Sequence, residues 1–125
     1  MNNPISFENE TVIGVPATDG KGNIFDKTLV GSYVIFPKSN APTPFDLSEQ
    51  EWLDTKKMID IVKAYIDEHY KPDGYNLGWN IGEVGGQHWE VVHLHIIPRY
   101  ADEPFAGRGI RSWLKTDENI RPSEK

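Results

Sequence analysis

The chain has 125 residues, 38% of them hydrophobic and 26% charged, which are the length and composition of one globular domain. Its 13 basic and 19 acidic residues give a net charge of −6. That balance disfavours nucleic-acid binding, because phosphate contacts need clustered cations. The absence of cysteine excludes disulfides, thiolate catalysis and cysteine-ligated zinc. No apolar run approaches the roughly 20 residues of a membrane helix, and no secretory signal is visible. We therefore expect a cytoplasmic protein that binds no membrane.

The first third of the chain predicts two strands. Residues 11–15 and residues 29–37 are rich in β-branched and aromatic side chains, and a proline closes each segment. The apolar run at residues 33–36 indicates that both faces of the second strand are covered. The segments between and around these strands are predicted to be irregular, namely residues 1–10, 17–27 and 38–45.

One long helix is predicted from residue 49 to about residue 70. Ser48 and Glu51 have the spacing of a capping box, and Pro72 and Gly74 end the helical pattern. Residues at spacings of three and four form a stripe that should face a sheet. The stripe consists of Trp52, Thr55, Ile59, Val62 and Ile66.

A hairpin is predicted after the helix. Residues 75–82 alternate between large apolar and small polar side chains, which indicates a strand with one packed face. A glycine-containing turn leads to a second strand at residues 89–97, which Pro98 closes. The sum is a single α+β domain over residues 1–125, with one long helix packed on one face of an antiparallel sheet. Its core comprises about residues 11–99, and residues 100–125 form a C-terminal extension.

Three of the four histidines fall in a window of eight residues at the second hairpin strand: His88, His93 and His95. His93 and His95 are two residues apart, so their side chains should leave a strand from the same face. The small residues of the neighbouring strand leave room there for a ligand, and exposed amides at the glycine turn can bind an anion. A neutral imidazole beside such a site can attack phosphorus, while a second orients it or stabilises charge.

Two other interpretations of the histidine pair stay open. Same-face histidines on a strand are often polar surface. His-x-His is also a metal-ligand spacing, although the sequence indicates no third or fourth ligand, so we expect no metal. Trp79 and Trp89 are predicted to be packing residues rather than platforms for a stacked base.

Five segments of the chain carry a family pattern, in order: Gly31-Ser32-Tyr33-Val34-Ile35-Phe36-Pro37-Lys38, Phe45-Asp46-Leu47-Ser48, Asn80-Ile81-Gly82, Gly86-Gln87 and His93-Leu94-His95-Ile96-Ile97-Pro98-Arg99. In these segments the chain resembles the histidine triad (HIT) family of nucleotide hydrolases and transferases, in particular bacterial members of the diadenosine polyphosphate hydrolase type. Their order and spacing match the family from about residue 29 to residue 99.

The resemblance implies a HIT-like fold, with a sheet of about five strands that is extended across a homodimer. It implies that His93 attacks the α-phosphorus of a dinucleoside polyphosphate or nucleoside phosphoramidate and forms a nucleotidyl-histidine that water cleaves. It also implies that His95 assists the leaving group, and that Asn80 and Gln87 hold the ribose-phosphate and the leaving side. The small-molecule partner is then a nucleotide, and no cofactor is implied.

The chain departs from the family pattern at three positions. Val91 replaces the first triad histidine, and Ser32 replaces the histidine of an earlier glycine-histidine pair. The family holds the nucleophile by a main-chain carbonyl at the first-triad position, which a valine still supplies. His88 replaces a hydroxyl or amide, so we expect it to contact phosphate or to be an exposed turn residue. The alternative functions are a nucleotide-binding module without catalysis and a His-x-His metal-binding protein.

Overall fold

The structure, a computed structural model, describes residues 4–124 and contains five strands and one long helix. The strands form one antiparallel sheet in the order β1-β2-β3-β5-β4. This architecture confirms the predicted α+β class. In chain order the elements are β1 (Phe7–Glu8), β2 (Val12–Pro16), β3 (Tyr33–Pro37), α1 (Glu49–Tyr70), β4 (Gly74–Trp79) and β5 (Leu94–Arg99), with short 3₁₀ helices at Pro44–Asp46, Asp117–Asn119 and Pro122–Glu124.

Helix α1 begins and ends where the sequence predicts. The Ser48 hydroxyl accepts a hydrogen bond from the Glu51 amide at 3.1 Å, and the Glu51 carboxylate accepts one from the Ser48 amide at 2.8 Å. This reciprocal pair is the predicted capping box, and it satisfies amides that have no partner inside the helix. Lys71 follows the last turn in a left-handed conformation and turns the chain toward β4. None of the helices within residues 4–124 is both long and apolar enough to span a membrane.

The buried stripe of α1 differs from the predicted one. Ile59 is partly buried and packs against the core, as predicted, whereas Trp52 is 50% exposed and contacts the sheet at its edge, where it stacks on Trp79. Asp54 is buried instead, because its carboxylate accepts hydrogen bonds from Thr11 at 2.7 Å and from Gln50 at 2.9 Å. A hydrophobic pattern cannot reveal a polar residue that is buried through its hydrogen bonds. The buried positions are Glu51, Asp54, Thr55, Met58, Val62 and Ile66.

The core fills the space between α1 and one face of the sheet. Burial alternates along β3: Tyr33 and Ile35 are buried against the helix, whereas Val34 and Phe36 are only partly buried. The prediction that both faces of this strand are covered is therefore wrong. A sheet with one helix layer leaves its other face available, and we call this the open face. The core cluster consists of Val12, Tyr33, Ile35, Met58, Val62, Ile66, Leu94 and Ile96.

The hairpin strands are displaced from their predicted limits. β4 ends at Trp79, and β5 begins at Leu94 rather than at residue 89. The segment before β5 is held elsewhere, because the Val92 amide donates to the Ala41 carbonyl at 2.9 Å. β5 then continues through Pro98, which lies past the last β3 pair, where β4 is the one remaining neighbour. A proline is tolerated there because its missing amide interrupts no ladder on the β3 side.

Arg99 connects the end of β5 to the C-terminal extension. Its guanidinium donates to the Asn76 side-chain oxygen at 2.5 Å, to the Arg108 carbonyl at 2.6 Å and to the Phe105 carbonyl at 3.0 Å. It also forms an ion pair with Glu103. These bonds use most of the five N–H donors of the side chain. Arg99 therefore anchors the extension against the sheet.

Candidate active site

His95 lies on the open face of the sheet. In the β5 register it is opposite Val34 of β3 and Gly78 of β4, while the flanking residues of β5 are buried beneath α1. A Cβ built at Gly78 would meet no atom within 4 Å. The glycine therefore leaves space beside the imidazole, as the small residues of this strand predict.

His93 precedes β5 rather than lying in it, but the two imidazoles are still adjacent. Their ring centroids are 4.7 Å apart, with an angle of 58° between the planes. The Nδ1 atom of His93 lies 3.1 Å from the main-chain oxygen of Val91. A carbonyl oxygen only accepts hydrogen bonds, so Nδ1 carries the proton and the neutral ring keeps its lone pair on Nε2. This main-chain contact is the one that the resemblance implies, and it leaves Nε2 as the ring atom with a free lone pair.

Trp89 packs against the His93 ring. Its ring centroid is 5.5 Å from that of His93, at an interplanar angle of 51°. Its other neighbour is Phe36 on the open face of β3, at 5.2 Å and an edge-on angle of 74°. The sequence predicts a packing role for Trp89, but it gives no sign that the partner is the candidate nucleophile. The sequence signal for this contact is Phe36, an aromatic residue on the half-buried face of β3 that packs on Trp89.

Gln87 braces the loop of residues 80–93. Its side-chain oxygen accepts from the Gly82 amide at 2.8 Å, and its nitrogen donates to the carbonyls of Pro42 at 2.9 Å and Trp89 at 3.0 Å. Both N–H groups of the amide are thus used within the protein. A phosphate oxygen needs a donor, so in this structure Gln87 positions the loop and Trp89 rather than offering a free donor to an anion.

Asn80 and His88 lie on the same loop. Asn80 is exposed, and a Cβ built at Gly86 would lie 3.7 Å from its side-chain nitrogen, which places the amide beside the glycine turn. His88 is exposed and lines an open cleft of about 490 Å³. Trp89 lines this cleft and also contacts His93, whereas His93 and His95 themselves do not line it. The cleft is formed by Pro42, Thr43, Glu83, Gln87, His88, Trp89 and Glu90.

The environment of His95 disfavours its charged form. Burial lowers the pKa of His95 below the ordinary value of 6.5, and the nearby His93 lowers it further. This environment favours the neutral form of the imidazole. Because a lowered pKa makes the protonated ring a stronger acid, His95, once protonated, can readily give that proton to a neighbouring group.

The described part of the chain does not bring a set of metal ligands together. Across residues 4–124, no group of three or more histidine, aspartate or glutamate side chains is placed to hold a metal ion. The His93–His95 pair thus has no third ligand among these residues, whereas zinc sites usually have at least three protein ligands.

These features define an α+β domain with a pair of adjacent histidines on the open face of an antiparallel sheet. The HIT domain matches residues 30–102, which is more than half of the chain. The chain belongs to the HIT domain family, and the resemblance seen in the sequence is confirmed.

Two relatives of known name are similar to the chain. The bis(5'-adenosyl)-triphosphatase of Dictyostelium discoideum is 34% identical over 71 residues, which cover 57% of this chain and 48% of that protein. The adenosine 5'-monophosphoramidase hnt1 of Schizosaccharomyces pombe is 30% identical over 94 residues, covering 75% of this chain and 68% of that protein. The chain thus spans about half the length of the first of these relatives.

Solved structures show the same fold. A HIT family protein from Bacillus anthracis is 26% identical, with a TM-score of 0.62 over 77% of this chain and 63% of the other. A HIT family protein from Bacillus subtilis is 22% identical, with a TM-score of 0.64 over 94% of this chain and 77% of the other. The second structure extends the shared fold over nearly the whole chain.

Proposed function

We propose that this chain is a nucleotide hydrolase or nucleotidyl transferase that cleaves at the α-phosphorus of a dinucleoside polyphosphate or a nucleoside phosphoramidate. The observation that carries the proposal is the hydrogen bond from His93 Nδ1 to the Val91 carbonyl, beside the ring of His95. It leaves one lone pair, on Nε2, as the nucleophile. The two named relatives support these substrate classes, since one is a bis(5'-adenosyl)-triphosphatase and the other an adenosine 5'-monophosphoramidase.

The first step forms a bond between His93 Nε2 and the α-phosphorus, while the bond from phosphorus to the leaving oxygen or nitrogen breaks. The His93 ring becomes positive, and its Nδ1–H bond to the Val91 carbonyl stabilises that charge. His95 acts in its protonated form: it gives a proton to the leaving atom and becomes neutral. Water then attacks the same phosphorus and a proton of the water returns to His95, while the bond from phosphorus to His93 Nε2 breaks. This releases the nucleotide and returns the lone pair to His93.

Replacement of the first triad histidine by Val91 is compatible with this step. The group that holds His93 belongs to the main chain, so it does not depend on the side chain at position 91. The valine side chain is itself buried, with 8% exposure. The two histidines that remain supply the nucleophile and the proton donor.

The loop of residues 80–93 supplies the proposed substrate contacts. The exposed Asn80 amide contacts the ribose-phosphate, and the His88 ring donates to a phosphate oxygen from the cleft beside Trp89. Gln87 acts on the substrate through the position of this loop, because its N–H groups already bind the Pro42 and Trp89 carbonyls.

The proposed functional unit is a cytoplasmic homodimer that takes small nucleotides and binds neither membrane nor nucleic acid. β4 is an edge strand, and its Leu77 is 44% exposed. Trp79, the last residue of β4, stacks on the half-exposed Trp52 of α1 at 5.5 Å. An exposed apolar edge strand is a typical pairing surface, which favours extension of the sheet across two copies. Light scattering at micromolar concentration should give twice the chain mass, and a monomer would contradict this part of the proposal.

The enzymatic proposal is tested by the variant His93→Ala. Wild-type protein should release AMP from diadenosine triphosphate or from adenosine 5'-phosphoramidate, as measured by chromatography of the products. His93→Ala should abolish this turnover while keeping its circular dichroism spectrum. His69→Ala is the matched control, because His69 is an exposed α1 histidine that packs on Tyr65, 4.2 Å between ring centroids, outside the site.

The outcomes separate the candidate functions. Full activity in His93→Ala would remove His93 from the mechanism. AMP binding by the wild-type protein without turnover of any substrate would favour the non-catalytic nucleotide-binding module. That alternative is motivated by the side chains at Val91 and Ser32, which replace two histidines of the family pattern.

A further inference from the structure

Two buried side-chain atoms of the described residues have no hydrogen-bond partner: Ser32 Oγ and His95 Nε2. Ser32 is 6% exposed, so bulk water does not solvate its hydroxyl. Buried polar atoms in proteins are nearly always bonded either to protein or to an ordered water, because an unbonded one is costly. Each of these two atoms therefore requires a partner.

The sheet register places the two atoms on the same face. Val34 is opposite His95, and the Ala17 amide donates to the Ser32 carbonyl at 2.9 Å, which continues the β2–β3 ladder by one residue. Side chains alternate along a strand, so Ser32 shares the open face with Val34 and is the diagonal neighbour of His95. The Cα atoms of diagonal neighbours across antiparallel strands are about 7–8 Å apart. A hydroxyl and an imidazole that extend from the same face at such positions can be joined by one water.

We propose that Ser32 is a positioning residue for His95: its hydroxyl binds His95 Nε2 through one buried water and thereby keeps the ring proton on Nδ1. The value of this arrangement for proton donation rests on the proposed function, but the hydrogen-bonded link itself does not. Ser32 touches neither substrate nor reacting atoms in this scheme.

A hydroxyl and a water suit this position because each can both donate and accept a hydrogen bond. When His95 is neutral, Nε2 accepts a hydrogen bond from the water. When His95 is protonated, Nε2–H donates to the same water, which turns to accept it. The link is therefore kept in both charge states, and the ring orientation does not change when the ring gains or loses a proton.

Few other groups influence the titration of His95. The adjacent β5 segment contributes the titratable ring of His93, at 4.7 Å between centroids. From β4 the open-face neighbours are Asn76 and Gly78, and from β3 they are Ser32 and Val34, none of which titrates. A change in the pKa of His95 on substitution of Ser32 therefore reports the hydroxyl itself.

The proposal is tested by ¹⁵N NMR of the imidazole nitrogens in the resting protein, without substrate. Wild-type His95 should be a single neutral tautomer with its proton on Nδ1. In Ser32→Ala the two tautomers should mix and the pKa of His95 should fall further, because the cation loses the acceptor of its Nε2–H. Ser32→Thr keeps the hydroxyl and should retain the wild-type tautomer.

Thr55→Val is the control for loss of a buried hydroxyl. Thr55 is also 6% exposed, but its hydroxyl donates to the Glu51 carbonyl within α1, on the other side of the sheet, so this variant should leave the His95 titration unchanged. An Nε2–H tautomer in wild-type protein, or the same tautomer and pKa in Ser32→Ala as in wild type, would overturn the proposal. If Ser32→Ala shifts the His95 tautomer but the wild-type protein turns over no nucleotide, the result would support the link and count against the proposed function alone.

Discussion

Replacing Trp89 by leucine should slow the proposed reaction by loosening the nucleophile. The indole lies between Phe36 and His93, with centroid distances of 5.2 and 5.5 Å. Leucine retains an apolar side chain but loses both aromatic contacts. Because Trp89 is 45% exposed, the substitution leaves no large cavity in the core.

The two aromatic contacts set the size of the effect. Each such pair contributes about 0.5–1.5 kcal/mol beyond the area that it buries, so together they contribute about 1–3 kcal/mol. If this restraint acts on the His93 orientation that the transition state needs, its loss lowers kcat/KM by about 5- to 150-fold, at tenfold per 1.36 kcal/mol. The loss should be in kcat, because the substrate contacts of Asn80 and His88 remain.

The assay is steady-state release of nucleotide by Trp89→Leu, together with urea unfolding. Trp113→Leu is the control, since Trp113 is 76% exposed in the C-terminal extension. A double-mutant cycle with Phe36→Leu should give a coupling of about 0.5–1.5 kcal/mol in the free energy of unfolding. An unchanged kcat/KM in Trp89→Leu would refute the reasoning, because it would show that the indole does not hold the nucleophile.

Two further predictions concern stability. Ser48→Ala removes one half of the capping box of α1 and should lower the free energy of unfolding by about 1 kcal/mol in urea; an unchanged midpoint would show that the cap is dispensable. Burial lowers the pKa of His95 below 6.5, so as pH falls through 6.5 the unfolded chain takes up this proton before the folded chain does. The free energy of unfolding should therefore decrease on acidification below that pH, and His95→Gln should make the decrease shallower; identical slopes in the two proteins would contradict the assignment.

The helix was predictable because its signals are local. Ser48 and Glu51 are three residues apart, and the capping box they form lies where the sequence places it. The buried stripe was less predictable, because Asp54 is buried through bonds to Thr11 and Gln50, the first of which is distant in sequence. Hydrophobic periodicity depends on apolar residues only, so it could not assign Asp54 to the buried face.

The start of β5 was mispredicted for a similar reason. Residues 89–92 have the composition of a strand, but the Val92 amide bonds to Ala41 and the Gln87 side chain bonds to Pro42. These are tertiary contacts between distant loops, and no local pattern encodes them. The Gln87 amide also bonds to the Trp89 carbonyl, so both of its N–H groups are used within the protein, and its contact with the substrate stays a prediction.

The chemical centre was predictable from spacing and family pattern together. His93 and His95 are adjacent, and the Val91 carbonyl binds His93 as the resemblance implies. The contribution of Trp89 and the unpartnered hydroxyl of Ser32 could not be predicted, because both depend on which strand lies beside β5. The catalytic roles of the two histidines stay predictions until they are measured.

The central claim is that His93 forms a covalent nucleotidyl intermediate. Wild-type protein mixed with adenosine 5'-phosphoramidate, denatured at alkaline pH within the first turnover and analysed by peptide mass spectrometry, tests it directly. An adenylyl group on the peptide that carries His93, absent from His93→Ala, is the predicted result. Turnover with no adduct, or with the adduct on another residue, would contradict the account.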